Sequence, residues 1–132
     1  MYHIHIATTH HNEFLNITHL VSNMVREKGY KDGVVTVFVP HTTAGITINE
    51  NADPDVTTDM MGVLNSLVPW DSPKYRHFEG NTSAHVKASI MGNSTHIILE
   101  DGNLQLGTWQ GIYFCEFDGP RQRKIWVQVT CS

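Results

Sequence analysis

The sequence predicts an α+β fold: a single domain over residues 1–132 with a largely antiparallel, β-sandwich-like core and about three helices. Three observations lead there. A chain of 132 residues with 40% hydrophobic content is long enough for one real core. Short stretches alternate apolar with polar residues, the period of half-buried strands. Between them lie stretches with apolar residues at helical spacing, bounded by capping residues and glycines. The order is strand, helix, two strands, two helices, then three or more strands, which is the α+β arrangement rather than strict βαβ alternation.

The elements follow in order. "MYHIHIATTH" alternates Tyr2, Ile4 and Ile6 against His3 and His5, a strand with both imidazoles outward. From Asn16, the positions Ile17, Leu20, Val21, Met24 and Val25 mark an amphipathic helix, with Gly29 as its stop. "GVVTVFVP" is almost continuously apolar and β-branched, the signature of a central strand covered on both faces, and Pro40 ends it. "AGITINE" alternates Ile46 and Ile48 against Thr47 and Asn49, so a second strand returns after "PHTT" and His41 falls at a strand end. Asp53 reads as an N-cap and Pro54 as the first helical residue of a helix that turns Val56, Met60, Val63, Leu64 and Leu67 inward until Pro69.

Residues 69–82 show no period, and a loop of this length in a compact domain is often functional; His77 lies within it. Asn81 or Thr82 caps a short helix ending at Gly92, with His85 in its first turn or two. "STHIILED" is a strand, "GNLQL" starts another that "TWQGIYFCEFD" continues, and "GPRQ" is a turn. "RKIWVQVT" closes the chain by alternating Ile125, Val127 and Val129 against Trp126 and Gln128.

Composition excludes some classes. With 13 acidic against 9 basic residues and a formal charge of -4, the chain has no basic surplus for nucleic acid. The absence of a secretory signal and of any apolar run of bilayer length points away from membranes. The two cysteines, Cys115 and Cys131, form neither a metal pattern nor a disulfide framework, which suits a reduced, cytoplasmic setting. Nine histidines are the one excess, and imidazole is both a common metal ligand and the usual acid or base near neutrality.

Placement sorts them. His3, His5, His10, His11 and His19 read as surface residues, and His96 as a hydrogen-bonded strand residue. His41, His77 and His85 fall at a strand end, in the loop and near a helix start, where scaffolds present reactive groups. With an acid, two or three such imidazoles can hold a divalent ion, zinc or magnesium, and leave a position open; structural hydrogen bonding is the competing reading. Among the acids, Asp53 and Asp55 suit a helix start. Glu50 and Asp59 are better placed to orient a ligand imidazole or act as a base. Arg121 and Arg123 alternate at a strand start and suit a phosphate or carboxylate, or surface ion pairs with Glu116 or Asp118. Trp109 with Gln110 offers an aromatic face and an amide for a planar ring, or simply core. Cys115 alternates with Tyr113 and Phe117 and reads as a buried thiol. No glycine-rich phosphate loop or nucleophile elbow is present.

Three long stretches, "HTTAGITINENADPDV", "YRHFEGNTSAHVKASIMG" and "LQLGTWQGIYFCEFDGPRQRKIWVQV", together resemble the YjbQ-type family, called secondary thiamine-phosphate synthases. The resemblance implies a compact α+β fold with a sandwich-like core, a homotrimer, and a metal-binding active site. It marks His41, Thr42, Thr43, Glu50, Asp59, His77, His85, Trp109, Gln110, Glu116, Arg121 and Arg123. The implied activity is a transfer that joins a pyrimidine diphosphate to a thiazole phosphate. In that reading His77, His85 and His41 hold the metal, Glu50, Asp59 and His41 are catalytic, and Thr42, Thr43, Trp109, Gln110, Arg121 and Arg123 bind the phosphorylated substrate. Two alternatives use the same cleft: a noncatalytic phosphometabolite-binding protein and a metal-dependent hydrolase. A site shared between subunits would explain how such distant motifs converge.

Overall fold

The computed structural model describes residues 1–132. The order is β1 (Tyr2–Ala7), β2 (Glu13–Asn16), α1 (Thr18–Glu27), β3 (Gly33–Phe38), β4 (Ala44–Glu50), α2 (Pro54–Leu67), α3 (Thr82–Met91), β5 (Ser94–Glu100), β6 (Asn103–Leu104), β7 (Gln110–Glu116) and β8 (Gln122–Cys131). A five-stranded sheet has the order β1-β8-β3-β5-β6 and a three-stranded sheet the order β2-β7-β4. Every strand pairing is antiparallel. The predicted α+β sandwich is therefore the observed fold.

Side-chain alternation builds the layers. Val35, Val37, Ile97, Leu99, Ile125, Val127 and Val129 point from the larger sheet into the main core. Ala44, Ile46, Ile112 and Phe114 meet them from the smaller sheet, and Ile17, Val21, Met24 and Val25 join from α1 and the residue before it. The opposite parity of β7, Tyr113 and Cys115, packs with Phe117 against Leu64 of α2 and Ala84 and Ala88 of α3. The smaller sheet is thus apolar on both faces, a consequence of being sandwiched between the larger sheet and a helical layer. Contact between α3 and β4 is close: a Cβ at Gly45 would lie 2.8 Å from the Gly92 carbonyl oxygen.

Asp53 caps α2 as expected, its Oδ1 accepting the Asp55 N–H at 2.9 Å, and Pro54 opens the helix. Gly92, at φ 91°, ends α3. Cys115 is fully buried, and burial pushes its thiol pKa far up, so it is inert packing.

Several expectations are corrected. β3 is central, but its outer face is open: Val34 is exposed, and Thr36 and Phe38 are half-buried, because no helix crosses that side of the larger sheet. Phe38 instead stacks on Trp126 across the β3–β8 register, with centroids 5.6 Å apart. In α2 only Leu64 is buried, whereas Val63 and Leu67 are 58% and 71% exposed, since a single stripe of the helix reaches the sheet. Residues 13–16 form the short strand β2, and α1 starts only at Thr18, whose N–H and hydroxyl both bond Asn16 Oδ1. β6 and β7 are not one strand: the chain leaves the larger sheet after Leu104 and enters the smaller at Gln110. Asn81 stands at the N-cap position of α3 without capping it, because its side chain donates to Asp118.

Candidate functional site

The β3–β4 connection, the start of α3, the end of the loop before it and the β7–β8 turn meet at one end of the sandwich. The foundation is a buried polar cluster. Glu116, at the end of β7, accepts from Thr8 Oγ1 at 2.7 Å, from Arg123 Nε at 2.8 Å, and from the main-chain N–H groups of Phe117 and Asp118 at 3.1 Å each. Arg123 Nη2 also donates to Thr43 Oγ1 at 2.8 Å. Burial raises the pKa of Glu116, but the hydrogen bonds from Arg123 and Thr8 outweigh that and hold it below the usual carboxyl range. The pair crosses between the two sheets, and its donors and acceptors are nearly all matched, the condition under which a buried ion pair is tolerated.

Over this base sit the groups that face solvent. The Lys124 main-chain N–H donates to His41 Nε2 at 3.0 Å, and the His41 ring stands edge-on to Phe114. Burial, and then the charge of Arg123, hold the His41 pKa below the ordinary imidazole value. Asp118 accepts from Asn81 Nδ2 and Arg121 Nη2, each at 3.0 Å, with His11 Nε2 at 3.7 Å. Burial raises the Asp118 pKa, but the Asn81 and Arg121 hydrogen bonds reverse this and lower it. His77 and His85 lie with ring centroids 5.6 Å apart and planes at 87°, and His77 Nε2 is 3.9 Å from a Glu79 carboxylate oxygen.

Two clefts adjoin here. One, of about 520 Å³, is lined by His41, Thr42, His85, Ser89 and Asn93 among others. Its neighbour, of about 350 Å³, has an entirely polar wall that includes His77, Asn81, His85, Asp118, Arg121 and Arg123. Thr42 and His85 belong to both.

Of the residues singled out in the sequence, His41, Thr42, Thr43, His77, His85, Arg121 and Arg123 converge at this end. Arg123 is only 6% exposed and serves mainly to bind Glu116 and Thr43. Glu50, Trp109 and Gln110 lie elsewhere. Glu50 pairs with Gln110 at the far end of the β4–β7 ladder from Ala44 and Glu116, roughly 20 Å away at the usual rise of a strand. The Gln110 side chain accepts the Gly107 N–H, and Trp109 is 62% exposed. Asp59 edges an apolar hollow formed by Val56, Met60, Val63, Leu64 and Met91. The polar cleft also contains Glu79, Asn81 and Asp118, which the sequence does not single out as site residues. Local sequence presents Asn81 as a cap and Asp118 as an ion-pair partner of the arginines; the Arg121–Asp118 pair is present, and the long-range Asn81–Asp118 bond adds the link to α3.

The donor set does not fit a metal within one chain. No three side chains of His, Cys, Asp or Glu come together as ligands. His41 Nε2 already accepts from Lys124, so its lone pair is not available to an ion.

Fold and site define a small antiparallel α+β sandwich with an imidazole- and guanidinium-lined cleft at one end. The family model described as "UPF0047 protein YjbQ-like" matches residues 2–132, and the chain belongs to that family. It is 52% identical over 126 residues to the UPF0047 protein YugU of Bacillus subtilis, covering 96% of each chain. Its identity to the UPF0047 protein MJ1081 of Methanocaldococcus jannaschii is 48% over 126 residues, covering 94% of this chain and 89% of the relative. The crystal structure of an uncharacterized conserved protein of the same family from Clostridium acetobutylicum superposes with TM-score 0.95 at 54% identity, covering 98% of this chain and all of that one.

These findings correct the functional expectation. The relatives belong to a family of unknown function, and none of these names carries thiamine-phosphate synthesis. The metal on which the phosphosubstrate reading relied has no converging ligand set. No helix is long and apolar enough to cross a membrane.

Proposed function

We propose that the chain is a small-molecule enzyme that works by imidazole acid–base chemistry on a compact carboxylate-bearing substrate. The observation that carries this reading is the smaller, polar cleft, whose wall brings His77, His85 and Arg121 together. Asp118 fixes Arg121 through bonds from Nε to its carbonyl oxygen and from Nη2 to its side chain, and the guanidinium remains 52% exposed. That leaves N–H groups free to take a carboxylate in a defined orientation. His85, on the first turns of a packed helix, and His77, edge-on beside it, are placed to relay a proton to or from the bound molecule.

Calorimetric titration with small mono- and dicarboxylates tests the binding half. Arg121→Ala should weaken binding by about tenfold or more, the scale of a charge-assisted hydrogen bond. Unchanged affinity would remove Arg121 from the site. Turnover of a panel of carboxylate-bearing esters and lactones by chelator-treated protein tests the chemistry, and His85→Ala should abolish it. Activity that disappears with chelation in the unsubstituted protein would sink the metal-free reading.

We further infer a homotrimer. The number three is what the family resemblance implies; support for self-association itself comes from the helical layer, where Val63 and Leu67 of α2 and Val86 and Ile90 of α3 are exposed apolar side chains. A cytoplasmic setting fits the two free thiols, Cys115 and Cys131.

A further inference from the structure

We infer that His41 is a fixed hydrogen-bond donor that presents its Nδ1–H to an acceptor oxygen, a carbonyl or carboxylate, of the molecule bound in the larger cleft. The inference rests on the proposed reading of the clefts as a ligand site and assigns a role within it.

The argument starts from one bond. A main-chain N–H can only donate, so the 3.0 Å contact from Lys124 to His41 Nε2 requires a lone pair on Nε2. A neutral imidazole that accepts at Nε2 carries its proton on Nδ1. Nδ1 has no partner in the chain, and the His41 side chain lines the 520 Å³ cleft together with Thr42, His85, Ser89 and Asn93. An Nδ1–H can neither coordinate a metal nor take up a proton. What it can do is donate, as oxyanion-binding groups do.

The surroundings hold this tautomer in place. Lys124 follows Arg123, whose guanidinium is tied to Glu116 and Thr43, and Thr43 lies two positions from His41. The strand carrying the donor and the turn carrying the acceptor are therefore fastened together by the same buried cluster. The neighbouring Arg123 charge also disfavours an imidazolium, in keeping with the neutral form.

Long-range ¹H–¹⁵N correlation spectra of the uniformly labelled, ligand-free protein test the tautomer directly. His41 should show a protonated, pyrrole-type Nδ1 and a pyridine-type Nε2. The opposite assignment, or shifts averaged between the two forms, would overturn the inference. Titration with small carboxylates tests the donor role. His41→Asn, which keeps a side-chain N–H, should bind within a few-fold of the parent, whereas His41→Phe should lose about tenfold, the scale of one hydrogen bond to a charged group. Circular dichroism and thermal melts establish that each variant is folded. If His41→Phe binds as tightly as the parent while Arg121→Ala does not, the site stands and the role of His41 falls. If neither variant changes binding, the site itself is misplaced and the donor role falls with it.

Discussion

Arg123 donates from Nε to Glu116 Oε1 at 2.8 Å, and by doing so joins β8 of the larger sheet to the end of β7 in the smaller one. Thr8, from the β1–β2 connection, and Thr43, from the β3–β4 connection, complete the cluster. The candidate site is built on this clamp, so its integrity should control both stability and the shape of the cleft.

Removing one partner leaves the other charge buried. Glu116→Ala should therefore cost about 3–5 kcal/mol of stability. Chemical denaturation of the parent and the variant measures it, and a loss under 1 kcal/mol would show that Arg123 finds other partners or water.

The same pair sets an acid limb. The folded pKa of Glu116 lies below its ordinary value of 4.5. Its contribution is therefore fully present above that value and is lost as pH falls through it toward the folded pKa. Urea midpoints recorded from neutrality down to about pH 3 should decline more steeply in the parent than in Glu116→Gln, which has no carboxylate to protonate. Parallel curves would assign the acid limb to other groups, such as Asp118.

Two glycines should respond in opposite directions. Gly45→Ala places a Cβ 2.8 Å from the Gly92 carbonyl oxygen and 3.0 Å from Met91 Cβ, pushing α3 off β4 at a cost of about 1–3 kcal/mol. Gly62→Ala meets nothing within 4 Å inside a helix and should gain up to about 1 kcal/mol from propensity. Melting temperatures of the two variants should bracket the parent.

The exposed stripe of α2 makes a separate prediction. Leu67→Glu and Val63→Glu put charge on side chains already 71% and 58% exposed, so the isolated chain should fold normally. If this face mediates assembly, sedimentation should shift to monomer with little change in far-ultraviolet dichroism. Retention of the parental mass would place the assembly surface elsewhere.

Local chemistry made much of the fold legible. The Asp53–Pro54 start of α2, the Gly92 stop of α3 and the alternation in β1, β4 and β8 are fixed by residues acting on near neighbours. What failed involved distant partners. The inward stripe assigned to α2 assumed a second surface against which Val63 and Leu67 could pack, and none exists within the chain. The strand read through residues 103–118 is broken because its halves pair with different sheets, which depends on β4 and β5 rather than on local sequence.

The site shows the same division. The positions of His41, His77 and His85 in connections or near element ends make them candidates, because connections are where a scaffold exposes polar groups, and the structure brings the three to one end of the sandwich. The sequence alone also determined the sandwich class, through strand period and caps. Which polar residues share a cleft was decided only by tertiary structure. Register puts Ala44 opposite Glu116 and so carries Glu50 and Gln110 to the other end of the ladder. The bond from Lys124 to His41, joining groups far apart in the chain, exists only once β8 has paired beside β3, and it decides which imidazole nitrogen bears the proton.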